Sequence, residues 1–197
     1  MKIKNINYKS LLKVALPLFA LALSSNAHAV KWIGEGGVHF GGDNLATATF
    51  TNGDTKDINA GALLSVGIGP QIDITENSNV RVLFNYKTDS ISAQNGNLSF
   101  TRFPIDVMYF YTTEQWLFGG GITYHLNPEL MGDGLASGIN GSYDNALGFL
   151  AEVDFRLGEF FYIGGKLTFI DYEPQQANAK TVDGNSVGIV MGFIFGD

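Results

Sequence analysis

The chain has 197 residues, enough for one domain, with 45% hydrophobic and only 16% charged residues and no cysteine. The missing cysteine excludes disulfides, thiolate metal sites and a lipid-anchored N-terminal cysteine. All 19 acidic residues but only 8 of the 12 basic ones lie beyond residue 29, so that portion carries −11, a balance that excludes nucleic acid as a partner because phosphate binding needs clustered Lys and Arg.

The first element is a targeting segment. Lys2, Lys4, Lys9 and Lys13 precede or flank a ten-residue apolar run, VALPLFALAL (14–23), and SSNAHA ends in Ala27, His28 and Ala29, a small-x-small cleavage pattern. Spanning a bilayer as helix takes about 20 apolar residues, so this run is too short to be a permanent anchor. The expected division is a signal peptide over 1–29 and one mature domain over 30–197, outside the cytoplasm.

Eight segments of period-two alternation follow, near 31–40, 61–74, 80–87, 102–111, 116–126, 146–157, 160–171 and 186–195. Three connections are short: TENSN (75–79), TTEQ (112–115) and GE (158–159). Four are longer: 41–60, 88–101, 127–145 and 172–185. Short and long alternate strictly, which is the plan of an outer-membrane barrel with short periplasmic turns and longer extracellular loops. The first long connection holds its own hairpin signal, LATATFTNGDTKDINA, with Asn52 and Gly53 at the tip.

Alternation does not say which face is inside; composition does. Leu63, Ser65, Gly67, Gly69, Gln71 and Asp73 share one face of the second segment, and Leu117, Gly119, Gly121, Thr123 and His125 one face of the fifth. A water-facing surface would carry more Lys and Glu, whereas small polar residues suit the crowded lumen of an eight-stranded barrel. On the same parity lie Lys31, Glu35, His39, Arg81, Lys87, Arg102, Asp106, Glu152, Asp154, Arg156 and Lys166. There Arg81, Arg102, Arg156 and Lys166 can offset Glu35, Asp106, Glu152 and Asp154 as a lumen ionic network, with the pairing left open. Aromatic residues on the opposite, apolar face sort by height. Trp32, Tyr109, Tyr111, Trp116, Phe155, Phe161 and Phe195 fall at the periplasmic edge, and Phe40, Tyr86, Phe103 and Tyr124 toward the other, as two interfacial girdles require. The fold class is therefore all-β: an eight-stranded antiparallel up-and-down transmembrane β-barrel behind a cleavable signal peptide. Closure leaves no strand edge unpaired in lipid.

With this plan the chain resembles the small eight-stranded outer-membrane barrels of the OmpA, OmpX and OmpW class, in the outer membrane of a Gram-negative bacterium. The most specific stretch is SVGIVMGF (186–193), similar to the family's assembly signal through Ser186, Gly188, Met191 and Phe193. The resemblance implies that the barrel-assembly machinery reads it, although Gly196 and Asp197 follow the Phe195 on which many members would end. It further implies outer-membrane lipids and lipopolysaccharide as surroundings. For relatives of the OmpW kind it implies a narrow conduit for small solutes.

Some barrels of this class modify lipid A acyl chains, and the palmitoyltransferase kind resembles a His on one outer loop with an Asp-Ser pair on another. Here His39 closes the first segment and Asp89 and Ser90 follow the third, where a base beside a hydroxyl suits acyl transfer. The amphipathic N-terminal helix of that enzyme is missing. The deacylase kind would need Ser two residues after His125, where Asn127 stands. Lumen or rim hydrogen bonding is the preferred job of both histidines. GDG (132–134) and DGN (183–185) lack the spaced oxygen ligands of calcium loops, and GEGG (34–37) and FGGG (118–121) lie inside strands without a following Lys-Ser/Thr, so neither metal nor phosphate sites are expected. The expectation is a non-enzymatic barrel without cofactor. Its filled lumen is too narrow for a general porin, which needs about 16 strands, and its outer loops meet an extracellular partner the sequence does not identify.

Overall fold

A computed structural model describes residues 30–49, 53–93, 96–176 and 178–196. The expected signal peptide and the hairpin tip at Asn52 lie outside the described residues. Eight long strands form the wall: β1 (Val30–Phe40), β2 (Leu63–Thr75), β3 (Ser78–Ala93), β4 (Gly96–Thr112), β5 (Trp116–Gly132), β6 (Ala146–Arg156), β7 (Phe161–Phe169) and β8 (Ser186–Phe195). Each pairs antiparallel with its chain neighbour, and β1 pairs with both β2 and β8, so the sheet closes on itself. The first and last strands meet in the register Trp32↔Phe195 through Phe40↔Val187. The start of β1, the end of β8 and the three short turns share one rim, which is periplasmic by the short-turn rule.

The wall is apolar outside and polar inside. On β6, Leu147, Phe149 and Val153 are exposed while Glu152 and Asp154 are buried, and Arg156 at the strand end is half-buried. Val66, Ile68, Phe84, Val107, Ile122, Ile163, Ile189 and Met191 continue the exposed belt on the other strands. No helix is long and apolar enough to cross a membrane among the described residues; the crossing is made by strands.

Three strands run further than the alternation predicts. The connection 88–101, expected as a long loop, is mostly strand: β3 and β4 stay paired from Thr88↔Thr101 out to Ala93↔Gly96. The physical reason is an inversion of chemistry at constant parity. Beyond the rim Ile91, Leu98 and Phe100 point inward and are buried, while Ser90 and Asn97 point outward into water. The solvent outside has changed from lipid to water, so the polar side of the strand is now the outer one. On β5 a bulge achieves the same result. Its register slips between Thr101↔Glu129 and Phe103↔Leu126, with Asn127 at φ 46°, and Leu130 thereby turns inward.

Two short strands, Asn44–Thr49 and Thr55–Asn59, pair as the hairpin expected in the first long connection. It packs across the extracellular mouth. Ile58 and Ala60 join Ile91, Leu98, Phe100, Leu130, Tyr143, Ala146, Ile170 and Tyr172 in one buried apolar cluster. The Phe100 ring lies edge-on to both Tyr143 and Tyr172, each at 5.6 Å between centroids. Burial of such a side chain contributes roughly 1.5–3 kcal/mol, so the cluster holds the cap without a covalent tie. Backbone bonds fasten it: Asp43 N–H donates to Asp183 C=O at 2.7 Å, and Asn59 N–H donates to the Asp89 carboxylate at 2.8 Å.

Candidate functional site

The lumen is filled in layers between the periplasmic mouth and this cap. Nearest the periplasm, Lys31 Nζ meets Asp73 Oδ2 at 2.8 Å and Gln71 Nε2 donates to Asp73 Oδ1 at 2.9 Å. Above them Arg81, 1% exposed, donates through Nη1 to Asp154 Oδ2 at 2.9 Å and through Nε to Gln71 Oε1 at 3.2 Å. Its guanidinium carbon lies 3.9 Å from the Phe110 ring centre and 4.6 Å from that of Tyr162. A planar cation between two rings is held on faces and edges at once, which Lys would not reproduce.

The next layer centres on Lys166. Its ammonium donates to Glu35 Oε1 and lies 2.9 Å from Glu152 Oε2 and 3.7 Å from Asp106 Oδ2. Tyr162 O–H donates to Glu35 Oε2 at 2.6 Å, and Thr123 O–H to Asp106 Oδ1 at 2.5 Å. Arg81 links the two layers through Glu152 at 3.7 Å. Of the charged residues anticipated inside, Glu35, Arg81, Asp106, Glu152, Asp154 and Lys166 come together here. Arg102 sits higher, buried, donating to the carbonyls of Ala62 and Phe100 with its guanidinium 4.7 Å from the Phe100 ring. Arg156 sits at the periplasmic mouth, apart from the network. The pairing was not legible because the partners are far apart in sequence, Glu35 and Lys166 by 131 residues.

Above Lys166 the histidines take their places. His39 Nε2 is 2.8 Å from Ser65 Oγ, and His125 Nδ1 is 2.6 Å from Tyr172 O–H; both rings are buried. A void of about 20 Å³ lies among His39, Asn85, Lys87, Asp106, His125 and Lys166, the room of roughly one water molecule. His39 is not joined to Asp89 and Ser90. That dipeptide is strand, so Asp89 points inward to the Asn59 N–H while Ser90 points outward and is exposed. The partners of the histidines, Ser65 and Tyr172, carry no motif. Ser65 shared the inward parity, which was the one available signal.

The strand β8 residues divide by face. Ser186 accepts from Lys87 Nζ at 3.3 Å inside the lumen. At Gly188 an added Cβ would lie 2.3 Å from His39 Nδ1, so glycine makes room for the ring. Met191 and Phe193 face outward, and Phe193 meets Phe161 in a tilted pair at 4.8 Å and stacks with Phe195 at 5.7 Å. At the same rim Trp116 meets Phe155 edge-on at 5.0 Å, and Trp32, Tyr109 and Tyr111 are exposed. Tyr86 and Phe103 make a ring pair at 5.6 Å toward the other rim. Among the described residues no group of three or more His, Cys, Asp or Glu is arranged to hold a metal ion.

No family model and no curated protein matches the sequence. Solved structures do match. The attachment invasion locus protein Ail of Yersinia pestis, in complex with the heparin analogue sucrose octasulfate, is 10% identical, with 85% of this chain and 99% of that one covered at a TM-score of 0.56. Outer membrane protein H, OprH, of P. aeruginosa is 16% identical, covering 85% of this chain and all of that one at 0.51. Such likeness concerns the backbone, and the apolar belt with charges sealed inside concerns the solvent; together they give this chain the fold of a small eight-stranded outer-membrane β-barrel.

Proposed function

We propose that this protein is a non-enzymatic outer-membrane barrel with a closed lumen, acting structurally and through its extracellular loops. The supporting observation is the filling itself. Two ionic layers, two hydrogen-bonded histidines and the apolar cap occupy the bore, and the void between them has room for about one water. The loop surface carries Asp43, Asp54, Asp57, Glu129, Asp133, Asp144, Asp171, Glu173 and Asp183 against Lys56 and Lys180, so a partner that approaches it meets a negative field. Lipopolysaccharide surrounds that surface, and the assembly machinery reads β8. Planar-bilayer recording tests the closed bore: the expected trace stays at baseline, and steady open-channel current would overturn the proposal. Incubation with lipid A followed by mass spectrometry tests the absence of catalysis, where an acyl change lost in His39→Ala or His125→Ala would reverse it.

One observation favours a second reading, a narrow conduit for small solutes. A lipid-facing groove of about 490 Å³ between β2, β3 and β4 shares Asn85 and Pro104 with the lumen void. Pro104 has no N–H for the β3–β4 ladder, whose register is interrupted between Phe84↔Ile105 and Lys87↔Arg102. Uptake of an apolar tracer into vesicles containing the protein, lost on Pro104→Val, would favour this reading over the closed one.

A further inference from the structure

The periplasmic end of the lumen holds a pocket of about 570 Å³ walled by β1, β2, β3, β4 and β6 and the turn after β2. That is within the 300–1,000 Å³ of small-ligand sites, whereas the layers above it leave no such space. Its charges are unevenly satisfied. Lys31 and Asp73 neutralise each other, and Gln71 occupies the second Asp73 oxygen. Arg156, half-buried in the wall, has no carboxylate within ion-pair distance among the described residues, and no hydrogen bond holds its guanidinium fork. Opposite it, Asn79 is buried, donating from Nδ2 to Thr112 Oγ1 at 3.3 Å, and its Oδ1 accepts nothing. A buried amide oxygen without a donor is unfavourable, and a ligand N–H would relieve it. Glu76 adds a negative charge on the turn.

We infer that this pocket binds the carboxylate end of a short peptide from the periplasmic side. The planar fork of Arg156 takes the terminal carboxylate in two parallel hydrogen bonds. The carboxamide oxygen of Asn79 accepts a peptide N–H, which a simple inorganic anion lacks. Asp73 and Glu76 in the same lining disfavour a dianion such as phosphate. The volume suits two or three residues better than one free amino acid. The inference is independent of what the extracellular loops do, since the two ionic layers and the buried histidines separate the two ends.

The test uses the full protein purified from outer membranes into detergent micelles, with NMR shifts of Asn79, Thr112 and Arg156 as readout. Trialanine is expected to give saturating shifts at all three, and C-terminally amidated trialanine to bind at least tenfold more weakly. Arg156→Gln is expected to abolish saturation and Arg156→Lys to keep part of it, with heat-modifiable gel mobility confirming that each variant is folded. Equal binding of the amidated peptide, no saturation by trialanine, or unchanged binding in folded Arg156→Gln would each overturn the inference. So would free alanine binding as tightly as trialanine. If Arg156→Gln does not fold, the comparison of free and amidated peptide on the unaltered protein decides. Co-sedimentation with purified cell-wall sacculi, competed by trialanine, assigns the peptide ends to the wall; trialanine binding without co-sedimentation assigns them to free periplasmic peptides.

Discussion

Lys166→Met removes the cation that three buried carboxylates share. Glu35 loses a hydrogen bond, Glu152 a partner at 2.9 Å and Asp106 one at 3.7 Å. All four groups are nearly inaccessible to water, so no hydration compensates for the loss. Removing one partner from a buried pair typically costs about 3–5 kcal/mol, because the charge left behind is unpaired in a poor solvent. The exposed Lys31–Asp73 pair supplies the control. Its 2.8 Å separation is much like that of Lys166 and Glu152, yet both side chains are more than a third exposed, so Lys31→Met is expected to cost only about 0–1 kcal/mol. Urea unfolding in lipid vesicles, followed by the fluorescence of Trp32 and Trp116, gives both numbers from the shift in midpoint at constant slope. Adding Glu35→Gln to Lys166→Met is expected to recover part of the loss, since the remaining amide carries no charge. Equal small costs for Lys166→Met and Lys31→Met would refute the reasoning, for the lumen would then be wet enough to screen its ions.

Backbone proximity makes a second prediction. A Cβ at Gly69 would lie 1.8 Å from the Val82 carbonyl oxygen, which cannot move without breaking the wall, whereas Gly34 has nothing within 4 Å. Gly69→Ala is expected to cost at least the roughly 1–3 kcal/mol of overpacking in the same urea assay, and Gly34→Ala close to nothing. On the lipid face, Ile189→Arg in mid-strand β8 is expected to cost about 2–4 kcal/mol, while Leu135→Arg, in an extracellular turn and 84% exposed, leaves the midpoint unchanged. Outside the membrane, the side-chain amide and backbone N–H of Asn97 hold the Asp133 carboxyl below the ordinary aspartate range. A lowered folded value means that this contact favours the closed loop above the unfolded pKa and is lost as pH falls through the folded one. An NMR pH titration of Asp133 is expected to show the low value, and Asn97→Ala to move it up.

What the sequence by itself determined is the wall. Side-chain direction alternates with each residue, so Leu147, Phe149, Val153 on one parity and Glu152, Asp154 on the other were enough to assign lipid and lumen faces. The alternation of short and long connections set the strand count and the orientation, because a two-residue turn needs no tertiary context. The tertiary structure decided what fills the bore and what closes it. Closure and stagger of the strands bring Glu35 beside Lys166 and Arg81 beside Asp154, and nothing local encodes which cation meets which acid. The same closure leaves Arg102 and Arg156 to carbonyls and an open pocket. The ends of β3, β4 and β5 do not show as strand in the sequence because the apolar and polar faces exchange where lipid gives way to water, which leaves Ile91, Leu98 and Phe100 without the expected alternation. Only folding shows that they meet Ile58 and Tyr172, since an apolar residue in a water-exposed segment is stabilised by whichever distant surface it can reach.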